Sequence, residues 1–169
     1  KVTIEDVKYV LSLHYQGTAY DPYGHIGTPA TRGLYRPIGI NRNCQLAVLQ
    51  IRPYVDEQHR ALQWIALGSN AFNALVPFFT QVDEVPAYVS STPKDVTTDS
   101  FYWANRLIGA MADASYSACL PHVERYQEKL QSEATRLVHA CDAEGGDPAA
   151  ANQAIADVAR KRTDCLLGH

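Results

Sequence analysis

The chain has 169 residues, the usual size of one domain, with 46% hydrophobic and 20% charged residues, 10 glycines and 9 prolines, which excludes the disordered and fibrous classes. Its net charge of −3 comes without any concentrated run of Lys and Arg, so the electrostatic footprint of a nucleic-acid binder is missing. No apolar stretch reaches the roughly 20 residues that span a bilayer, so no membrane partner is expected.

At the start, Thr3 and Asp6 resemble a capping box, and Ile4, Val7, Val10 and Leu11 recur at helical spacing, which predicts a first helix over residues 3–14. From His14 to Arg36 the chain turns to Gly, Pro, Tyr, Thr and Asp, giving a loop of more than about twenty residues, a length associated with binding loops as well as with plain surface crossovers. Residues 44–52 and 61–67 are short apolar runs joined by a polar segment and read as two strands. Both runs are apolar on both faces, so each is expected to be covered by helices on one side and by more protein on the other. An isolated hairpin is marginal in water, so the rest of the sheet is expected from residues outside this chain. Beyond it, Thr97, Thr98 and Asp99 are good N-caps for a helix carrying Phe101, Ala104, Leu107, Ile108 and Met111. Pro121 is expected to kink that helix or begin another, which continues to about Ala140 with Val123, Tyr126, Leu130, Leu137 and Val138 on its apolar side. Asp147 and Pro148 open a last, Ala-rich helix that Gly168 is placed to cap. The fold class is therefore α+β in a single domain or fragment, with a helix, a long loop and two strands over residues 1–97 and a helical region over 98–169.

Cys44, Cys119, Cys141 and Cys165 form no CxxC pair and no cluster of zinc-ligand spacing, which points to four reduced thiols, a cytoplasmic location and no metal site. The histidines His14, His25, His59, His122, His139 and His169 are dispersed, and each is expected at the surface or satisfied internally rather than as a ligand or base. Two segments stand out. In Arg36-Pro-Ile-Gly-Ile-Asn-Arg42, an arginine enters the first strand beside Asn41 and Asn43, where it either binds a carboxylate or developing oxyanion or anchors a loop. In Leu67-Gly-Ser-Asn-Ala-Phe-Asn73, the small polar residues Ser69, Asn70 and Asn73 leave the second strand, either to line a cleft or to form a turn over a Phe72, Leu75 and Phe78 plug. Tyr15, Tyr20, Tyr23 and Tyr35 suit a pocket for a small amphipathic ligand or a packed loop.

The strings His14-Tyr-Gln-Gly-Thr-Ala-Tyr-Asp-Pro-Tyr23, Tyr35-Arg-Pro-Ile-Gly-Ile-Asn-Arg42, Ile51-Arg-Pro53, Trp64 through Pro77 and Ser100-Phe-Tyr-Trp-Ala-Asn-Arg106 together resemble the C-terminal part of the C69 family of bacterial dipeptidases. That resemblance implies an N-terminal-nucleophile hydrolase with an αββα sandwich, of which residues 44–67 supply a hairpin. In such an enzyme a cysteine at the first position of the mature chain attacks the peptide carbonyl and its own α-amine serves as base. The implied substrates are dipeptides, with no metal or organic cofactor. Arg42, following Pro37 and Gly39, resembles an arginine that related acylases place near the nucleophile, and Asn41, Asn70 and Asn73 are weaker candidates beside it.

The chain begins at Lys1 and its only methionine is Met111, so a fragment or processed chain is expected, with the nucleophile in a missing N-terminal part that is also its partner. Alone, such a chain is expected to be inactive and to cover its strand edges by self-association or by its own helices. The alternative is a non-catalytic α+β binding or scaffolding domain that holds a partner through the Tyr/Gly loop.

Overall fold

The computed structural model describes residues 1–168, and His169 lies outside the described residues. Helix α1 (Ile4–Leu11) starts on the expected capping box: Thr3 Oγ1 accepts from Asp6 N and the Asp6 carboxylate accepts from Thr3 N. The helix stops three residues before its expected end, because at Ser12 the chain turns into the long loop. No regular element follows until β1 (Gln45–Ile51). β1 pairs antiparallel with β2 (Ala61–Leu67), Val48 opposite Trp64, within the expected hairpin.

The sheet has a third member that the sequence reading did not foresee. β3 (Val76–Phe79) pairs antiparallel with β2, Ile65 opposite Val76 and Leu62 opposite Phe79, giving the order β1-β2-β3. The chain therefore supplies its own third strand, which corrects the expectation that the rest of the sheet comes wholly from elsewhere. Four residues including Pro77 carry little strand signal, yet Pro is tolerated where no ladder bond is lost, and β3 is the last strand of the order. Its free side is finished by α5 (Pro148–Leu167): Asn152 accepts from Phe79 N at 2.8 Å and donates to Phe79 O at 2.9 Å.

One face of the sheet, with Leu62, Trp64 and Ala66, packs into a core shared with Phe101 and Ile108 of α3 (Phe101–Ala114), Tyr126 and Leu130 of α4 (Tyr116–Glu144), and Ile155 and Ala159 of α5. The other face is open along β1, where Ala47, Leu49 and Ile51 are exposed. A short helix α2 (Ala87–Ser90) lies between β3 and α3.

Two helix boundaries differ from expectation. Ser100, not Thr97, Thr98 or Asp99, occupies the N-cap of α3, and its hydroxyl donates to Ser91 O at 2.7 Å. The break between α3 and α4 falls at Ser115 (φ −144°, ψ 49°), and Pro121 sits inside α4. The carbonyl that Pro121 deprives of a donor is that of Ser117, an exposed residue, so water can satisfy it. Asp147 caps α5 by accepting from Ala149 N and Ala150 N, and Gly168 ends it in the left-handed region, both as the sequence indicates.

Candidate functional site

The end of the sheet at Cys44 and Gly68, where Gly68 N donates to Cys44 O at 2.7 Å, is where the two candidate segments meet. Gly68 leaves β2 at φ +69°, a conformation that glycine adopts without penalty. A Cβ there would lie 3.2 Å from Asn73 Nδ2 and 3.4 Å from Arg106 Cδ, so the bare backbone is also what lets α3 approach. Gly39 has the same role on the other segment, since its Cβ would meet Ser12 O at 2.3 Å while its N–H donates to Leu13 O at 2.7 Å.

The asparagines join these backbones. Asn43 Nδ2 donates to Asn70 Oδ1 at 2.6 Å and to Ile38 O at 3.1 Å. Asn70 Nδ2 donates to Leu11 O at 2.6 Å, and Asn70 O accepts from Ser12 Oγ and from Lys8 Nζ. Asn73 Nδ2 donates to Ser69 O at 3.0 Å and to Asn105 O at 3.1 Å, with the residue fully buried. Asn70 and Asn73 are thus occupied in holding α1, the loop, β2 and α3 together. Asn41 Nδ2 donates to Asp113 Oδ2 at 2.7 Å, which fixes the loop against α3.

Arg42 is different. It is exposed, and among the described residues it makes no side-chain hydrogen bond or ion pair, so the anchoring is done by its neighbours Asn41 and Asn43. It lines a cavity of about 390 Å³ together with Asn41, Ser69, Arg106 and Asp113. The structure therefore brings Asn41 and Arg42 into one cavity and places Asn70 and Asn73 behind it as framework.

Sequence reasoning missed Arg106 as a member of this site. The available signal was the spacing of Tyr102, Arg106, Gly109, Ala110 and Asp113, which puts all five on one side of α3, where they line the cavity. Arg106 also makes no ion pair among the described residues. The Ser69 hydroxyl is buried without a partner, an arrangement that requires an explanation in a folded protein.

A larger cleft of about 940 Å³ lies between α1 and α4 and includes Lys8, Ser12, His14 and Tyr116. Its buried polar groups bond to one another. His14 Nδ1 and Asp21 Oδ1 are 2.9 Å apart, and Tyr23 N donates to the same carboxylate oxygen at 2.9 Å. The His14 ring also meets Tyr23 and Tyr116 edge-on. Burial pushes the hydroxyls of Tyr23 and Tyr116 up to about 12, so both stay protonated at neutral pH. Burial likewise lowers Lys8 to about 8. His59, bonded to Gly146 O at 2.8 Å, is a second internally satisfied histidine, whereas His25, His122 and His139 are exposed. The buried groups of the wider cleft thus bond to one another across the joint between the loop and α4, with Arg136 unpaired at its exposed rim, whereas the smaller cavity is lined by two guanidiniums without partners among the described residues. Among the described residues no group of His, Cys, Asp and Glu side chains is placed to hold a metal ion, and no helix is long and apolar enough to cross a membrane.

Residues 1–129 match peptidase family C69. The chain is 58% identical to a dipeptidase of Bifidobacterium longum, over 84% of this chain and 27% of that protein. It is 47% identical to a probable dipeptidase A of Streptococcus pyogenes serotype M18, over 99% of this chain and 36% of the relative. It is 35% identical to dipeptidase A of Lactobacillus helveticus, over 99% and 37% respectively. The chain therefore spans about a quarter to a third of the length of the curated relatives it matches.

Proposed function

The chain belongs to peptidase family C69, and from that premise we propose that it is the C-terminal portion of a cytoplasmic cysteine dipeptidase whose N-terminal cysteine lies outside these 169 residues. In that enzyme the cysteine thiol gives its proton to its own α-amine and attacks the carbonyl carbon of a dipeptide. The ammonium so formed protonates the departing amine, and water then releases the remaining amino acid from the thioester. No metal or organic cofactor enters these steps.

The single observation that carries this reading is Arg42, a guanidinium with no partner among the described residues, held at a cavity by asparagines whose amide NH2 groups are engaged. A charged group left free while its neighbours do the anchoring is suited to hold substrate beside the reacting carbonyl. The relatives' greater length and the open sheet face bearing Leu49 and Ile51 support a second layer packed there, which completes an αββα sandwich.

The test uses the complete polypeptide. Arg42→Lys keeps the charge but loses the planar fork of donors, and both it and Arg42→Ala are expected to lower dipeptide turnover by about a hundredfold to a thousandfold, with melting temperature unchanged. Unchanged turnover in a folded Arg42→Ala enzyme removes Arg42 from the site. Absence of any hydrolysis by the complete polypeptide instead favours a non-catalytic binding or scaffolding role for the Tyr/Gly loop.

A further inference from the structure

We propose that the cavity at the Cys44–Gly68 end of the sheet is a carboxylate-recognition pocket in which Arg106, with Arg42, holds the free C-terminal carboxylate of the peptide substrate. The inference rests on the dipeptidase reading for the identity of the ligand, and on the cavity itself for the chemistry.

Two guanidiniums from distant parts of the chain, one on the loop before β1 and one on α3, line the same space of about 390 Å³. Neither has a carboxylate partner among the described residues. The cavity's one acidic group, Asp113, already accepts from Asn41 at 2.7 Å, which leaves an excess of positive charge. Like charges facing one cavity repel, and a bound anion converts that repulsion into attraction.

Ser69 is 3% exposed, lines the cavity and has no partner for its hydroxyl. Gly68 serves the close approach here, since a Cβ there would lie 3.4 Å from Arg106 Cδ and 3.2 Å from Asn73 Nδ2. Guanidinium forks match the two oxygens of a carboxylate, which is why arginine rather than lysine suits this position.

The sign of the pocket selects the end of the peptide. An N-terminal ammonium is repelled, and a C-terminal carboxylate is accepted. A pocket that takes the terminal carboxylate also measures length, because an extended substrate presents a neutral amide there and loses a charge-assisted contact. Loss of such a contact corresponds to about a 10- to 100-fold fall in specificity.

The experiment compares a dipeptide with its C-terminal amide in the complete polypeptide, by kcat/KM. A second readout, independent of turnover, is protection of Cys44, which lines the same cavity, against iodoacetamide by N-acetyl-leucine or by N-acetyl-leucinamide, followed by peptide mass spectrometry. The expected result is a preference for the acid of about 10- to 100-fold in kcat/KM. Cys44 should be protected by the acid and not by the amide. Arg106→Gln should bring the acid down towards the amide in both readouts, and Arg106→Lys should retain part of the preference. Equal behaviour of acid and amide, or a folded Arg106→Gln enzyme that keeps the full preference, overturns the pocket. Acid-selective protection in a polypeptide that hydrolyses nothing sinks the dipeptidase reading and leaves the pocket standing.

Discussion

Removing the carboxylate of Asp142 should destabilise the chain strongly while leaving the candidate site intact. Arg52 follows β1 at the end remote from Cys44, and its side chain is only 4% exposed. Its guanidinium meets both Asp142 oxygens, at 2.5 and 3.1 Å, donates to His59 O and stacks over Phe79 at 5.7 Å. The pair ties the β1–β2 connection to the last turn of α4. Because Arg52 is nine-tenths buried and Asp142 is 15% exposed, the pair belongs with buried ion pairs rather than surface ones. Asp142→Ala leaves a buried cation with one carbonyl and a ring for company, a change that costs about 3–5 kcal/mol. For a chain of this length that is roughly 6–20 °C in melting temperature. Replacing both partners together, Arg52→Met with Asp142→Leu, should recover most of the loss, since the desolvation of the charges disappears with them. Urea and thermal unfolding followed by circular dichroism measure both variants. A loss below about 1 kcal/mol for Asp142→Ala, the range of exposed pairs, would refute the argument that burial sets the magnitude.

Lys8 gives a pH prediction. Its folded pKa is lowered by burial to about 8, against 10.5 unfolded, so between these values the unfolded chain holds the extra proton and stability rises with pH. Relative to Lys8→Met, the parent should gain about 2–3 kcal/mol from pH 8 to 10.5, and a flat difference over that window contradicts it. Gly68→Ala places a side chain in the left-handed region against Asn73 and Arg106. It should cost about 1–2 kcal/mol in thermal unfolding and reduce the preference for a free carboxylate.

The parts of the fold legible in the sequence are those set by local chemistry. The capping box at Thr3, the hairpin at 45–67 and the Asp147-Pro148 start of α5 depend on residues within a few positions of one another, and each appears where expected. β3 was not legible. Its four residues are buried on both faces and contain Pro77, so neither alternation nor composition marks a strand; pairing with β2 and the side chain of Asn152 define it. The break at Ser115 was hidden for a related reason, since Pro121 is the stronger local signal but lies where its unpaired carbonyl partner faces water.

For the candidate site, residue type singled out segments that the fold brings together but not the division of bonding among their residues. Asn41, Asn70 and Asn73 are the same residue type, and only their bonding partners distinguish their places in the fold. Every amide NH2 among them is engaged with Asp113, Leu11 O, or Ser69 O and Asn105 O, so substituting these residues acts first on the joint between loop, strand and helix. The guanidiniums of Arg42 and Arg106 have no such engagement, so substituting them acts first on what enters the cavity. Arg106 could join Arg42 only through tertiary packing, because α3 meets the end of β2 where Gly68 lacks a side chain. The proposed recognition thus rests on arginines that the fold brings to one cavity without neutralising, at a strand end where Gly68 leaves room for the Arg106 stem.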